Sequence, residues 1–130
     1  MKKKTKLEII EETAAAYNSE TRAYEGGKCR YETHYGIKCA VGRCMTKAGL
    51  EVYGKSLGNV TLLERAAGGE KKFQMILKPS YRGHETHFWL NLQKLHDLRG
   101  LWGEGGLNKE GKNRAKVLKE KYKTAPPVKN

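Results

Sequence analysis

The spacing of apolar residues changes along this chain, and that change limits the fold more than any other feature. Leu7, Ile10, Ala14, Tyr17, Thr21 and Tyr24 follow at steps of three and four, the period of one helix face. From Lys28 the step becomes two: Cys29, Tyr31 and Thr33 alternate with Arg30 and Glu32, and Ile37, Cys39 and Val41 alternate with Lys38 and Ala40. That is the period of a strand buried on one face. Helical and strand periods in separate runs predict an α+β fold.

Local signals place the elements. Thr5 and Glu8 have capping-box spacing at the start of a first helix, which Gly26-Gly27 would stop, with Asn18-Ser19 as a candidate break. His34-Tyr35-Gly36 suits the loop of a hairpin, and Gly42 marks a bulge or a close backbone approach. Phe73, Met75 and Leu77 alternate before Lys78-Pro79, which predicts a third strand ended by proline. Between them, residues 46–72 show little pattern beyond a short helix at Leu62 to Ala67 and a break at Gly68-Gly69. A second long helix is expected from His84 to Leu98, with Phe88, Leu92 and Leu95 inward, Trp89 at their flank, and Asn91, Lys94 and Asp97 on the opposite side. Leu101 to Gly106 reads as a loop presenting Trp102. Asn108 can then cap a last helix with Ala115, Leu118 and Tyr122 as its stripe, ended by Ala125-Pro126-Pro127. The expected architecture is one domain over residues 1–130: a small antiparallel sheet, hairpin plus third strand, packed on about three helices, with a basic end at 1–6 and a loose tail at 124–130.

Charge is distributed unevenly. Of the net +12, four lysines fall in residues 2–6 and a net +6 in residues 108–130, leaving +2 for residues 7–107. Basic ends on a balanced body suggest steering toward an acidic partner rather than a nucleic-acid face built into the fold. No stretch approaches the ~20 apolar residues of a membrane span, and the lysine-rich start leads into a charged helix rather than the apolar core of a signal peptide. A cytoplasmic protein is expected, its three cysteines reduced thiols rather than a disulfide framework.

Four constellations could carry chemistry. Cys39, Cys44, His84 and His87 are soft ligands for zinc, but their spacing does not match a structural zinc site, and Cys39 falls in register with the apolar face of the hairpin. His96 and Asp97, with Glu85 and a thiol, suggest acid–base or hydrolytic chemistry; adjacent helical residues point about 100° apart, so Asp97 is not expected to orient the His96 ring. Tyr17, Arg22, Tyr24, Lys28, Arg30, Tyr31 and Tyr35 interleave bases with aromatics as a nucleic-acid platform would, although Tyr17, Tyr24 and Tyr31 fall on inward faces. Finally, Tyr81, Arg82, Trp89 and Trp102 are residue types that dominate protein interfaces.

Lys38-Cys39-Ala40-Val41-Gly42-Arg43-Cys44-Met45, Lys78-Pro79-Ser80-Tyr81-Arg82-Gly83-His84, and Phe88-Trp89 with Leu92-Gln93-Lys94-Leu95-His96-Asp97 together resemble a family of small proteins of tailed bacteriophages and prophages. The resemblance covers about two-thirds of the chain, omits residues 46–72, and supplies a context without a mechanism. It implies a non-catalytic binding protein of counter-defence or host-takeover type, acting on an acidic host protein, nucleoprotein or nucleotide. The binding residues expected are Arg43, Arg82, Trp89, Gln93, His96, Asp97 and Trp102, with no cofactor. The alternatives are a nucleic-acid-binding accessory protein, with or without zinc, and a small hydrolase using His96 and Asp97.

Overall fold

The computed structural model describes residues 3–17, 24–25, 28–29, 31–33, 37–55, 59–97 and 99–123. The N-terminal helix α1 (Lys6–Ala16) begins as its sequence dictates: Thr5 Oγ1 accepts from the Glu8 amide at 3.1 Å, and Glu8 Oε1 accepts from the Thr5 amide at 3.0 Å. It ends earlier than its apolar spacing suggests. Tyr17 is already extended, and Tyr24 belongs to a short strand β1 (Tyr24–Glu25) paired antiparallel with β2 (Lys28–Cys29). Asn18-Ser19 and Gly26-Gly27 lie outside the described residues. The buried face of α1 carries Ile9, Ile10 and Thr13, one position off the stripe through Leu7 and Ala14, because three- and four-residue steps permit either.

The expected sheet does not form. Of the predicted hairpin, the described residues keep one antiparallel bridge, Glu32 to Lys38, flanked by bonds from the Thr33 amide to the Ile37 carbonyl (2.8 Å) and from the Cys39 amide to the Tyr31 carbonyl (3.1 Å). The chain then turns into a 3-10 segment at Gly42–Cys44. A Cβ at Gly42 would lie 1.9 Å from the Tyr31 carbonyl oxygen, so the expected close backbone approach is there and only glycine fits it.

Residues 46–72 hold helices rather than an unpatterned stretch: α2 (Lys47–Tyr53), capped by Thr46, and α3 (Val60–Ala67), capped by Asn59. The third strand is replaced by α4 (Glu70–Met75). Phe73 and Leu77 are both fully buried, and a spacing of four satisfies both periods. Met75, which a strand would bury beside them, is largely exposed. The helix is launched by Gly68 and Gly69, both at positive φ, with Glu70 in its first turn, where a carboxylate favours the N-terminus. Leu77 keeps one bridge, to Met45.

The second long helix is α5 (Thr86–Asp97) and the last is α6 (Lys109–Tyr122), capped by Asn108 Oδ1 accepting from the Gly111 amide at 2.9 Å. Between them, a 3-10 turn at Arg99–Leu101 leads into a hairpin of β3 (Trp102–Gly103) and β4 (Gly106–Leu107), where a loop was expected. Among the described residues the protein is thus mainly helical, with strands paired only two by two. The main core gathers Ile10, Cys39, Phe73, Phe88, Trp89 and Leu92. A smaller one at the other end of α5 joins Tyr17, Leu95, Leu101, Trp102 and Ala115. No described helix is long and apolar enough to cross a membrane.

Candidate functional site

The seven residues singled out from the sequence fall into three groups. Gln93, His96 and Asp97 come together on the last turns of α5. The helix twist does not separate the last two: His96 Nδ1 lies 2.8 Å from Asp97 Oδ1, contrary to the expectation from their adjacency. The same carboxylate oxygen accepts from Gln93 Nε2 at 2.7 Å, and Gln93 Oε1 accepts the Val41 amide at 3.2 Å. His96 itself is 0% exposed, with the Tyr17 ring edge-on at 4.8 Å.

Trp102 belongs to the same end of the molecule but not to its surface. It is 5% exposed, donates from Nε1 to the Leu95 carbonyl at 3.0 Å, and meets the Tyr17 ring, so the aromatic expected on a loop is core. Tyr17 completes this wall by donating to the Lys38 carbonyl at 2.6 Å.

Arg43 serves a second cluster. Its Nη1 lies 3.1 Å from Glu12 Oε1, which also accepts from the Tyr81 hydroxyl at 2.7 Å, while Lys4 pairs with Glu12 Oε2. Burial raises the Glu12 carboxyl, but hydrogen bonds from Lys4, Tyr81 and Arg43 overcome it and leave the group below the usual carboxylate range. Four segments meet on this one carboxylate, so Arg43 is committed to the fold.

Arg82 stands apart from both groups, and Trp89 lies in the core behind Tyr81. The Arg82 guanidinium donates to the Leu77 and Met75 carbonyls at the end of α4, a C-terminal cap. Trp89 is fully buried against Phe88 and Tyr81.

The candidate zinc ligands are each engaged separately. Cys39 Sγ accepts from the Gly42 amide and Cys44 Sγ donates to the Ala40 carbonyl, both thiols being buried. His84 Nε2 donates to the Lys4 carbonyl at 2.7 Å, and His87 Nδ1 meets Asn91 at 3.3 Å. Among the described residues, no three His, Cys, Asp or Glu side chains cluster as a metal-binding set. Burial pushes the Cys39 thiol up and the Cys44 thiol up to about 12, which suits small core residues rather than nucleophiles. Of the basic and aromatic platform, Tyr17 and Tyr31 are buried as expected; Arg22, Arg30 and Tyr35 lie outside the described residues.

A solvent-accessible groove lies between α5 and α6. Asn91, Lys94 and Leu95 on α5 face Arg114, Val117, Leu118 and Lys121 on α6, with Leu101 at one end, around a groove of about 200 Å³. On α6 these positions are i, i+3, i+4 and i+7, one stripe beside the buried stripe of Gly111, Ala115 and Tyr122. Asn91 Nδ2 donates to the Tyr122 hydroxyl at 3.0 Å and fixes the two helices together, so Asn91 faces a neighbouring helix rather than the side opposite the core. Val117 is 68% exposed, as are Val52 and Met75 to a similar degree elsewhere on the surface. A second and larger hollow of about 370 Å³, between α1 and the β3–β4 turn, is lined by Lys112 and Lys119, the latter paired with Glu11 at 3.1 Å.

Most of these groove residues were missed individually in the sequence because each has an ordinary reading alone. The signal was the coincidence of Asn91, Lys94 and Leu95 at helical spacing with Arg114, Val117, Leu118 and Lys121 at the same spacing. Only the packing of α5 on α6 makes one site of them. Comparison with protein-family models, curated proteins and solved structures finds no match for this chain.

Proposed function

We propose that the protein works by binding rather than catalysis, as a phage-encoded factor of the counter-defence or host-takeover type that recognises an acidic partner inside the host cell. The phage setting is carried by the resemblance of the Lys38-to-Met45 and Lys78-to-His84 segments and of Phe88-Trp89 with Leu92 to Asp97. One observation supports the acidic partner: Lys94, Arg114 and Lys121 surround an apolar floor of Leu95, Leu101 and Leu118 in the α5–α6 groove. Three cations around a low-dielectric surface strengthen attraction to an anionic group and speed encounter with its carrier. The buried thiols and the enclosed His96 ring favour recognition over hydrolysis.

The test is affinity capture from a phage-infected host lysate, with and without nuclease, comparing the native chain with a Lys94→Glu/Arg114→Glu/Lys121→Glu variant. The reading expects a partner that survives nuclease and is lost with the variant. A partner held equally by both chains overturns it, and one released by nuclease favours the nucleic-acid-binding alternative, whose affinity should fall steeply with salt.

A further inference from the structure

The α5–α6 groove has a size and a chemistry that select among acidic partners. At about 200 Å³ it is smaller than the ~300–1,000 Å³ of small-molecule sites, a size suited to one or two aliphatic side chains. Its floor is aliphatic, and no aromatic residue lines it, whereas single-stranded nucleic acids are held largely by base stacking on aromatic rings. Along α6, Arg114 and Lys121 are seven residues apart, about 10.5 Å at 1.5 Å per residue, with Val117 and Leu118 between them. A second helix repeats the same geometry: carboxylates at i and i+7 match the two cations, and aliphatic residues at i+3 and i+4 meet Val117 and Leu118. Lys94, across the groove on α5, supplies a third cation for the opposite flank of such a helix.

We propose that this groove docks an acidic amphipathic helix of a partner protein, with one aliphatic side chain seated between Arg114 and Lys121 and carboxylates two turns apart on those cations. The inference rests on the reading that the groove is where the protein binds, and it narrows the partner from any anion to a helix with an apolar anchor. Burial of Val117 then offsets its exposure in the free protein.

The test uses fluorescence anisotropy with three labelled probes: a helical peptide carrying Glu-x-x-Leu-Leu-x-x-Glu, the same peptide with both leucines changed to serine, and a single-stranded DNA of similar length. The proposal expects the first peptide to bind, and the serine version to bind about tenfold more weakly or worse. Val117→Glu, a change at an exposed position, and Arg114→Glu should each weaken the first peptide similarly. Binding of both peptides alike, or of neither, overturns the helix-docking inference. DNA binding that Arg114→Glu abolishes, without peptide binding, overturns the inference and favours the nucleic-acid-binding alternative. Indifference of the lysate partner to the triple charge reversal overturns that broader reading as well.

Discussion

The Val41 amide donates to Gln93 Oε1 at 3.2 Å, across 52 positions of sequence. The bond joins the Cys39-to-Cys44 turn to the end of α5, and the same Gln93 side chain donates onward to Asp97. Both ends of the Gln amide are used and the residue is buried, so its role is to tie two segments rather than to meet a ligand. Gln93→Met keeps the shape and removes both polar atoms, leaving a buried amide without a partner. It should cost about 2 kcal/mol in urea unfolding, and a midpoint equal to that of the native chain would show that the bond carries no stability.

Glu12 makes stability depend on acid. Its carboxyl is held below the ordinary value of 4.5, so the folded form binds that proton less readily than the unfolded form. The stabilisation is fully present above the ordinary value and is lost as pH falls through the lower folded one. Glu12→Gln should lower stability near neutrality by about 2 kcal/mol, with Arg43 left without its carboxylate, and should flatten the acid limb below about pH 4.5. Denaturation at a series of pH values reads both effects.

His84 acts in a higher window. Its Nε2 holds the Lys4 carbonyl, while Nδ1 is buried with no partner. Burial lowers the ring below its ordinary 6.5, with Lys6 and Lys3 adding to that and the Lys4 carbonyl and Glu85 opposing it. A folded value below the unfolded one means that stability is full above about pH 6.5 and declines as pH falls through the folded value. His84→Gln can present its amide N–H near the Nε2 position without titrating. The variant should show a shallower decline below about pH 6.5 than the native chain.

Gly111 sits where α6 crosses the turn before β3. A Cβ there would lie 2.2 Å from the Leu101 carbonyl oxygen and 2.7 Å from Leu107 Cδ2. Alanine improves intrinsic helix propensity by about 1 kcal/mol, but the carbonyl cannot move cheaply because it also accepts the Asn108 amide at 2.9 Å. Gly111→Ala should therefore destabilise by about 1–3 kcal/mol net. A rise in melting temperature would mean that α6 can shift without loss.

The two core thiols offer a direct probe of burial. In a Cys29→Ser background, Cys39 and Cys44 should resist alkylation at pH 8 in the folded protein and react at the rate of free thiols in denaturant. Rapid modification of the native state would contradict their enclosure.

Where the chain obeys local rules, its sequence was sufficient. The Thr5–Glu8 capping box, the Asn108 cap, the body of α5 and the short helix after Asn59 all depend on hydrogen bonds and spacings within a few residues. Gly42 was legible as a bulge or a close backbone approach, although the carbonyl it passes belongs to Tyr31, eleven positions away. Phe73 and Leu77 were not, because a spacing of four satisfies a strand and a helix equally; the exposure of Met75 and the positive φ values at Gly68 and Gly69 belong to the helix. Trp102 and His96 looked like surface residues, and tertiary packing against Tyr17 made them core. Arg43 and Arg82 looked like binding residues; Arg43 pairs with Glu12, 31 positions away, while Arg82 donates to carbonyls only five and seven positions back. The groove is the reverse case: Lys94, Arg114, Val117 and Lys121 are unremarkable along the chain. Local chemistry decided where α1 and α6 begin, but where α1 stops, whether residues 70–75 form a helix or a strand, and which charges are spent inside depend on packing that no short window of sequence contains.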